Sequence, residues 1–228
     1  KVSWKIRDLL QKTLLSEQGT QVYAPGSRNP FALVYPNTYT VGMSNLGYQI
    51  IYQQINSRGD TACERAFLPD KKILQEYVRT NTPLLTIETQ RPLYEFSIIG
   101  FAVSFEMDYF NILKILDMGK IPLLAADRTE KQPLVIMGGP CATFNPEPLA
   151  DYVDAFVIGE GEEVIHEILD AYYQCQGQER PRRELLAKLA AIDGVYVPSL
   201  YQVSYNADGT IKEYERTAGA PGQVNRRW

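Results

Sequence analysis

The chain has 228 residues, 45% of them hydrophobic and 22% charged, with a formal net charge of −4; this composition suits one sizeable globular core with an appendage and excludes a disordered chain. The acidic balance, with a pI near 5.2, leaves no basic footprint for nucleic acid or an anionic membrane across the whole chain. No apolar run approaches the roughly 18–20 residues that span a bilayer and no secretory pattern opens the sequence, so no membrane partner and a cytoplasmic location are expected.

In chain order, Val2, Ile6, Leu9, Leu10 and Leu14 stand at helical spacing and predict an amphipathic helix over 2–16, followed by a loop over 18–30 with Pro25-Gly26 as its turn. FALVYP over 31–36 reads as the first strand, NTYTVGMSN over 37–45 as a long loop, and 46–59 as a helix with Ile50, Ile51 and Ile55 on its inner side. A second strand over 61–68 leads to a helix near 70–80 opened by Pro69-Asp70. The run from Ser97 to Ser104, nearly unbroken and bearing one glycine, suits a central parallel strand covered on both faces.

Asp108–Gly119 reads as a helix, 121–125 as a short extended piece, 134–137 and 155–158 as two further buried strands, and 162–176 as a helix with Ile165, Ile168, Leu169 and Tyr172 in a stripe. A helix near 181–191 precedes a hairpin over 195–217 that turns at 206–209. The alternation predicts an α/β fold with an open, parallel, five-stranded sheet and helices on both faces, plus a small C-terminal β-hairpin appendage. The expected organisation is 1–30 as N-terminal helix and loop, 31–192 as the α/β domain, and 193–228 as the appendage and a linker. A chain that starts at Lys1 and ends on TAGAPGQVNRRW reads as a piece of something longer.

The cysteines at 63, 141 and 175 match no zinc or iron–sulfur spacing, and His166 is the single histidine, which leaves no histidine-rich metal site to build. What stands out is two glycine breaks at strand ends, Gly138-Gly139-Pro140 and Gly159-Glu160-Gly161. In a parallel open sheet these ends share one rim with the breaks over 38–47 and 104–108, and ligands bind in the crevice outside that rim. Bare glycine backbone admits a flat or bulky ligand. The carboxylates of GEGEE disfavour a phosphate and favour a neutral, hydrogen-bonding guest or a partner domain.

VYPNTYTVGMSNLGYQIIYQQIN, SFE at 104–106 and GGPCATFNPEPLADYVDAFVIGEGEE together resemble the N-terminal domain of cobalamin-binding-type radical S-adenosylmethionine proteins, in a subfamily often labelled Fe–S oxidoreductase. The resemblance covers roughly 31–175. It implies a flavodoxin-like, cobalamin-binding-domain-like module that precedes a radical S-adenosylmethionine domain of the same chain. The iron–sulfur cluster and S-adenosylmethionine would belong to that downstream domain, since this sequence contains no CxxxCxxC, and the fragment alone should be inactive. A cofactor site carried over residue by residue comprises Met43, Ser44, Gly47, Ser104, Glu106, Gly138, Gly139, Pro140, Gly159, Glu160 and Gly161. Three departures accompany it: Ser44 stands where the module's cobalt-ligating histidine would be, Gly42 where its aspartate would be, and Glu106 replaces a leucine beside the nucleotide tail.

Each residue also has a plainer reading. Ser44 or Asn45 can cap the 46–59 helix, Tyr39 and Met43 can plug the rim, and Cys141 can be small core filler. Arg180, Arg182 and Arg183 read as a solvated helix start, with contact to RNA phosphate as the alternative; Glu106 and Asp108 form a carboxylate pair of unfixed separation. Two functions stay open: an accessory domain that presents cobalamin to a catalytic barrel, or a ligand-free module that packs on that barrel and gates substrate. A stand-alone flavin or nucleotide domain is disfavoured by the missing GxGxxG.

Overall fold

The computed structural model describes residues 2–176, 182–217 and 219–228. The elements are α1 (Trp4–Leu15), β1 (Asn29–Tyr35), α2 (Tyr39–Met43), α3 (Leu46–Ser57), β2 (Thr61–Phe67), α4 (Lys71–Thr80), β3 (Ile98–Ala102) and α5 (Tyr109–Met118). They continue with β4 (Leu134–Gly138), α6 (Pro140–Phe144), β5 (Ala155–Val157), α7 (Val164–Cys175), α8 (Arg182–Ala190), β6 (Val195–Tyr196), β7 (Tyr201–Tyr205) and β8 (Ile211–Arg216). One six-stranded sheet runs β2-β1-β3-β4-β5-β6, and β7 and β8 form the separate hairpin. The pairings from β2 to β5 are all parallel. The chain therefore follows the flavodoxin-like α/β plan, with the order reversing between β1 and β3.

Continuous apolar strands place successive side chains on opposite faces, so both faces need cover. One face, with Ala32, Val34, Ile99, Val135 and Phe156, is covered by α4, α5 and α6 through Tyr77, Ile112, Ile115 and Cys141. The other, with Leu33, Ile98, Leu134, Ile136 and Val157, is covered by α3, α7 and α8 through Ile55, Ile168 and Leu189. Helix starts are capped where the sequence provides an acceptor: Asp70 takes the N–H groups of Lys72 and Ile73, and Asn45 takes that of Tyr48.

Four expectations change. A sixth strand, Val195–Tyr196, leaves the predicted hairpin and pairs antiparallel with β5. The loop over 37–45 contains the helix α2. The piece over 121–125 forms no strand and ends in a 3₁₀ turn, Ala125–Asp127. The arginine-rich helix start is not simply solvated. Arg182 Nη2 pairs with the buried carboxylate of Asp154 at 2.8 Å and donates to the carbonyl of Pro133, while Arg183 is exposed and Arg180 lies outside the described residues.

The sheet edge at β2 is covered rather than left open to pairing. Ile87 N–H donates to Arg65 O, and Glu88 accepts from Arg65 N–H and Arg65 Nε, both at 2.6 Å. Arg65 Nη2 then reaches Glu17, tying the N-terminal segment to the sheet. Burial pushes the Glu88 carboxyl up from 4.5 to about 7, outweighing the opposing pull of Arg65. Because the folded value exceeds the unfolded one, this group stabilises fully below about pH 4.5 and loses that contribution as pH rises through about 7. Glu88→Gln is expected to flatten the stability profile over that interval. Urea midpoints measured at several pH values check it, the wild type falling with pH and the variant not.

Candidate functional site

The register of the central strands opens a hollow on the α3–α7 face. Leu33 pairs with Gly100, Gly100 with Ile136, and Ala102 with Gly138. Three small residues thus fall on one face of adjacent strands, where neighbouring positions carry branched side chains. Gly47 and Tyr48 of α3 and Gly161 and Ile165 of the α7 start face them, enclosing a mainly apolar cavity of about 380 Å³ that opens at the carboxyl ends of the strands. The Phe31 ring limits its depth, since a Cβ at Gly100 would stand 2.7 Å from the ring.

The two neighbouring glycines of the first break do different things. Gly139 has φ +103, and a Cβ there would lie 2.6 Å from Val103 O, so this glycine lets the backbone of β4 pass the end of β3. Gly138 has ordinary φ, and a Cβ there would meet nothing nearer than Val157 Cβ at 3.7 Å. Only Gly138 leaves room for a guest. At the second break Gly159 N–H donates to Thr143 Oγ1, which joins the α6 and β5 ends at the rim.

Of the residues expected at the site, Gly47, Ser104, Gly138, Gly139, Pro140, Gly159, Glu160 and Gly161 all line this cavity. Ser104 Oγ accepts from Asn45 Nδ2 at 3.1 Å, which links the end of β3 to the cap of α3. Three expected residues stand elsewhere. Met43 lines a separate cleft beside Arg65, whose Nη1 is 3.4 Å from its sulfur. Ser44 Oγ donates to Thr40 O, and Glu106 is exposed to solvent. The reason is local: α2 folds the 39–43 segment against β2, with Tyr39 packed edge-on to Phe67 and its hydroxyl on Glu17.

The remaining polar candidates have structural partners. Asp108 is buried and accepts from Asn37 Nδ2 and Asn111 Nδ2, whereas Glu106 is exposed, so the two do not act as a carboxylate pair. Cys141 is buried, and burial followed by the Glu106 charge raises its thiol above the ordinary value, opposite to what a nucleophile needs. His166 lies on α7 with Nε2 3.2 Å from Gln54 Oε1, away from the cavity. Among the described residues no cluster of His, Cys, Asp or Glu is placed to hold a metal ion, and no helix is long and apolar enough to cross a membrane.

Gly100, Ala102 and Tyr48, which make the floor and roof, and Arg226, which reaches the mouth from the far end of the chain, were not among the expected residues. A readable signal existed for the first two: small residues at alternate positions inside an otherwise bulky strand. Nothing local announces Arg226.

Several large apolar residues on the cavity lining, or close to it in sequence, are exposed. Leu46, Phe105, Met107, Phe144 and Trp228 are 70%, 58%, 74%, 81% and 84% accessible, respectively.

The family described as "Radical SAM proteins, N-terminal" matches residues 47–198, two thirds of the chain. The uncharacterised protein MJ0966 of Methanocaldococcus jannaschii is 24% identical over 149 residues, which cover 64% of this chain and 28% of that protein. The match therefore spans under a third of the relative's length. No solved structure matches the chain.

Proposed function

Because the chain belongs to the family of radical S-adenosylmethionine protein N-terminal domains, we propose that it is the accessory domain of such a protein and that its cavity takes the flat heteroaromatic base and nucleotide arm of a cobalamin. One observation carries this: the hollow is built from bare backbone and small side chains, at Gly100, Ala102 and Gly138, where the parallel strands end. A cavity of about 380 Å³ with an apolar lining accepts a two-ring base but not a whole macrocycle. The macrocycle would rest on the exposed rim at Phe105, Met107 and Phe144.

The residues holding the tail would be Gly47, Tyr48, Gly138 and Gly161, with Ser104 and Asn45 at the mouth. Bound cobalamin would supply a cobalt centre able to carry a methyl group or radical equivalent to a catalytic domain. The chain's own part is to bury the base, orient the exposed face and keep water from the slot. Ser44 would not hold the cobalt, its hydroxyl being committed to Thr40 O and poor in chemistry for that metal. On this reading the iron–sulfur cluster and S-adenosylmethionine would belong to another domain of the whole protein, together with the substrate site.

Incubation with hydroxocobalamin and desalting tests this reading. The protein fraction is expected to retain the corrinoid absorbance; a colourless protein fraction with all absorbance in the salt volume rejects it. A second reading, docking of a neighbouring domain without any small ligand, is favoured by the apolar rim alone. It predicts that Phe144→Ser weakens association of separately expressed halves while the corrinoid experiment stays negative.

A further inference from the structure

The second glycine break is filled by the chain itself. Arg227 runs parallel to Gly159, its N–H donating to Ile158 O at 2.8 Å and its carbonyl accepting from Glu160 N–H at 3.0 Å. A Cβ at Gly159 would stand 2.0 Å from Arg227 O, and one at Gly194 would stand 2.8 Å from Arg227 Cβ; both glycines have positive φ, +116 and +84. Two loops far apart in sequence are thus shaped around the backbone of one residue. The Arg227 side chain adds a clamp on α7, donating to Glu163 and Glu167.

This dock delivers its neighbour to the cavity. Arg226 lines the mouth, with its guanidinium 4.1 Å from the centre of the Trp228 ring and 3.8 Å from the nearest Glu160 oxygen. Among the described residues its side chain makes no hydrogen bond, only a long ion pair to Glu160 and a ring contact with Trp228, so its N–H donors stay open at the entrance to the slot. Glu160 and Glu162 also line the mouth, and the three charges leave it net negative. Such a mouth repels free anions. A donor fork beside carboxylate acceptors instead matches a carboxamide, whose carbonyl takes the guanidinium N–H groups and whose NH₂ is taken by the carboxylate.

We propose that Arg226 is a ligand-contacting residue of this cavity, held in place by the dock around Arg227, and that with Glu160 it receives a neutral carboxamide on the ligand's periphery. The inference rests on the cobalamin reading, because the macrocycle's edge carries carboxamides of this kind.

Equilibrium dialysis with hydroxocobalamin over the wild type, R226A, R226Q and G159A tests it. R226A is expected to raise Kd about tenfold, and R226Q, which keeps a neutral N–H donor, about threefold. G159A should expel the tail, reproduce the R226A loss, and add nothing when combined with it. Hydrogen exchange at the Arg227 amide should rise in G159A but not in R226A. If G159A fails to fold, deletion of residues 224–228 serves the same purpose. Wild-type binding with an unchanged Kd for R226A overturns this inference alone, and so does an R226Q loss as large as that of R226A. No binding by the wild type overturns both it and the cobalamin reading.

Discussion

Asp154→Ala is expected to destabilise the fold by about 3–5 kcal/mol, seen as a lower urea midpoint at unchanged slope. One oxygen, Asp154 Oδ2, accepts from Arg128 Nη1 at 3.0 Å, Arg182 Nη2 at 2.8 Å and the Val135 N–H at 2.8 Å. The Arg128 side chain is fully buried and that of Asp154 is 2% exposed. Burial pulls the Arg128 guanidinium below its ordinary range, and the Asp154 charge is what opposes that pull. Arg128 cannot swing out to water, because its other donors are fixed on the carbonyls of Pro122, Leu123 and Tyr152. Removing the carboxylate therefore strands one buried cation, weakens the hold on a second and orphans a strand amide. Asp154→Asn keeps an acceptor and is expected to cost about half as much. Equal midpoints for the wild type and Asp154→Ala would show that the network contributes nothing.

Gly138→Leu is expected to raise Kd for hydroxocobalamin about ten- to hundredfold while the urea midpoint moves little. The leucine fits its backbone, and its side chain enters the hollow, where overpacking costs about 1–3 kcal/mol only when a guest must share the space. Gly139→Ala should do the reverse. Its methyl would meet the immobile Val103 backbone at 2.6 Å from a left-handed φ, and the expected loss of stability is about 2 kcal/mol or more. Calorimetry for stability and dialysis for binding separate the two. If both substitutions reduce stability and binding alike, the division between a structural and a guest-facing glycine fails.

That division also shows what could be read in advance. Long apolar runs at Phe31–Tyr35, Ile98–Ala102 and Leu134–Gly138 carry their own burial signal, so the parallel sheet was legible. Val195–Tyr196 is too short to show any period, and it pairs with β5 directly after Gly194, whose φ is positive. The five-residue helices α2 and α6 are likewise below the length at which periodicity speaks. The glycine breaks lie at the cavity, but most of their glycines do not create its space. Gly139 and Gly159 accommodate the chain's own backbone, at Val103 and Arg227, while the empty space comes from Gly100, Ala102 and Gly138 one layer inside. Arg182 looked solvent-facing because its carboxylate partner is 28 positions away, a distance over which sequence pattern carries no contact information.

The Phe31 ring lies beneath Gly100 at the closed end of the hollow. One aromatic side chain, remote from the entrance, therefore works as the depth stop of the slot. Trimming it would lengthen the bore without changing a group at the opening, so on the proposed reading the length of a guest and the choice of its outer decoration would rest on different residues.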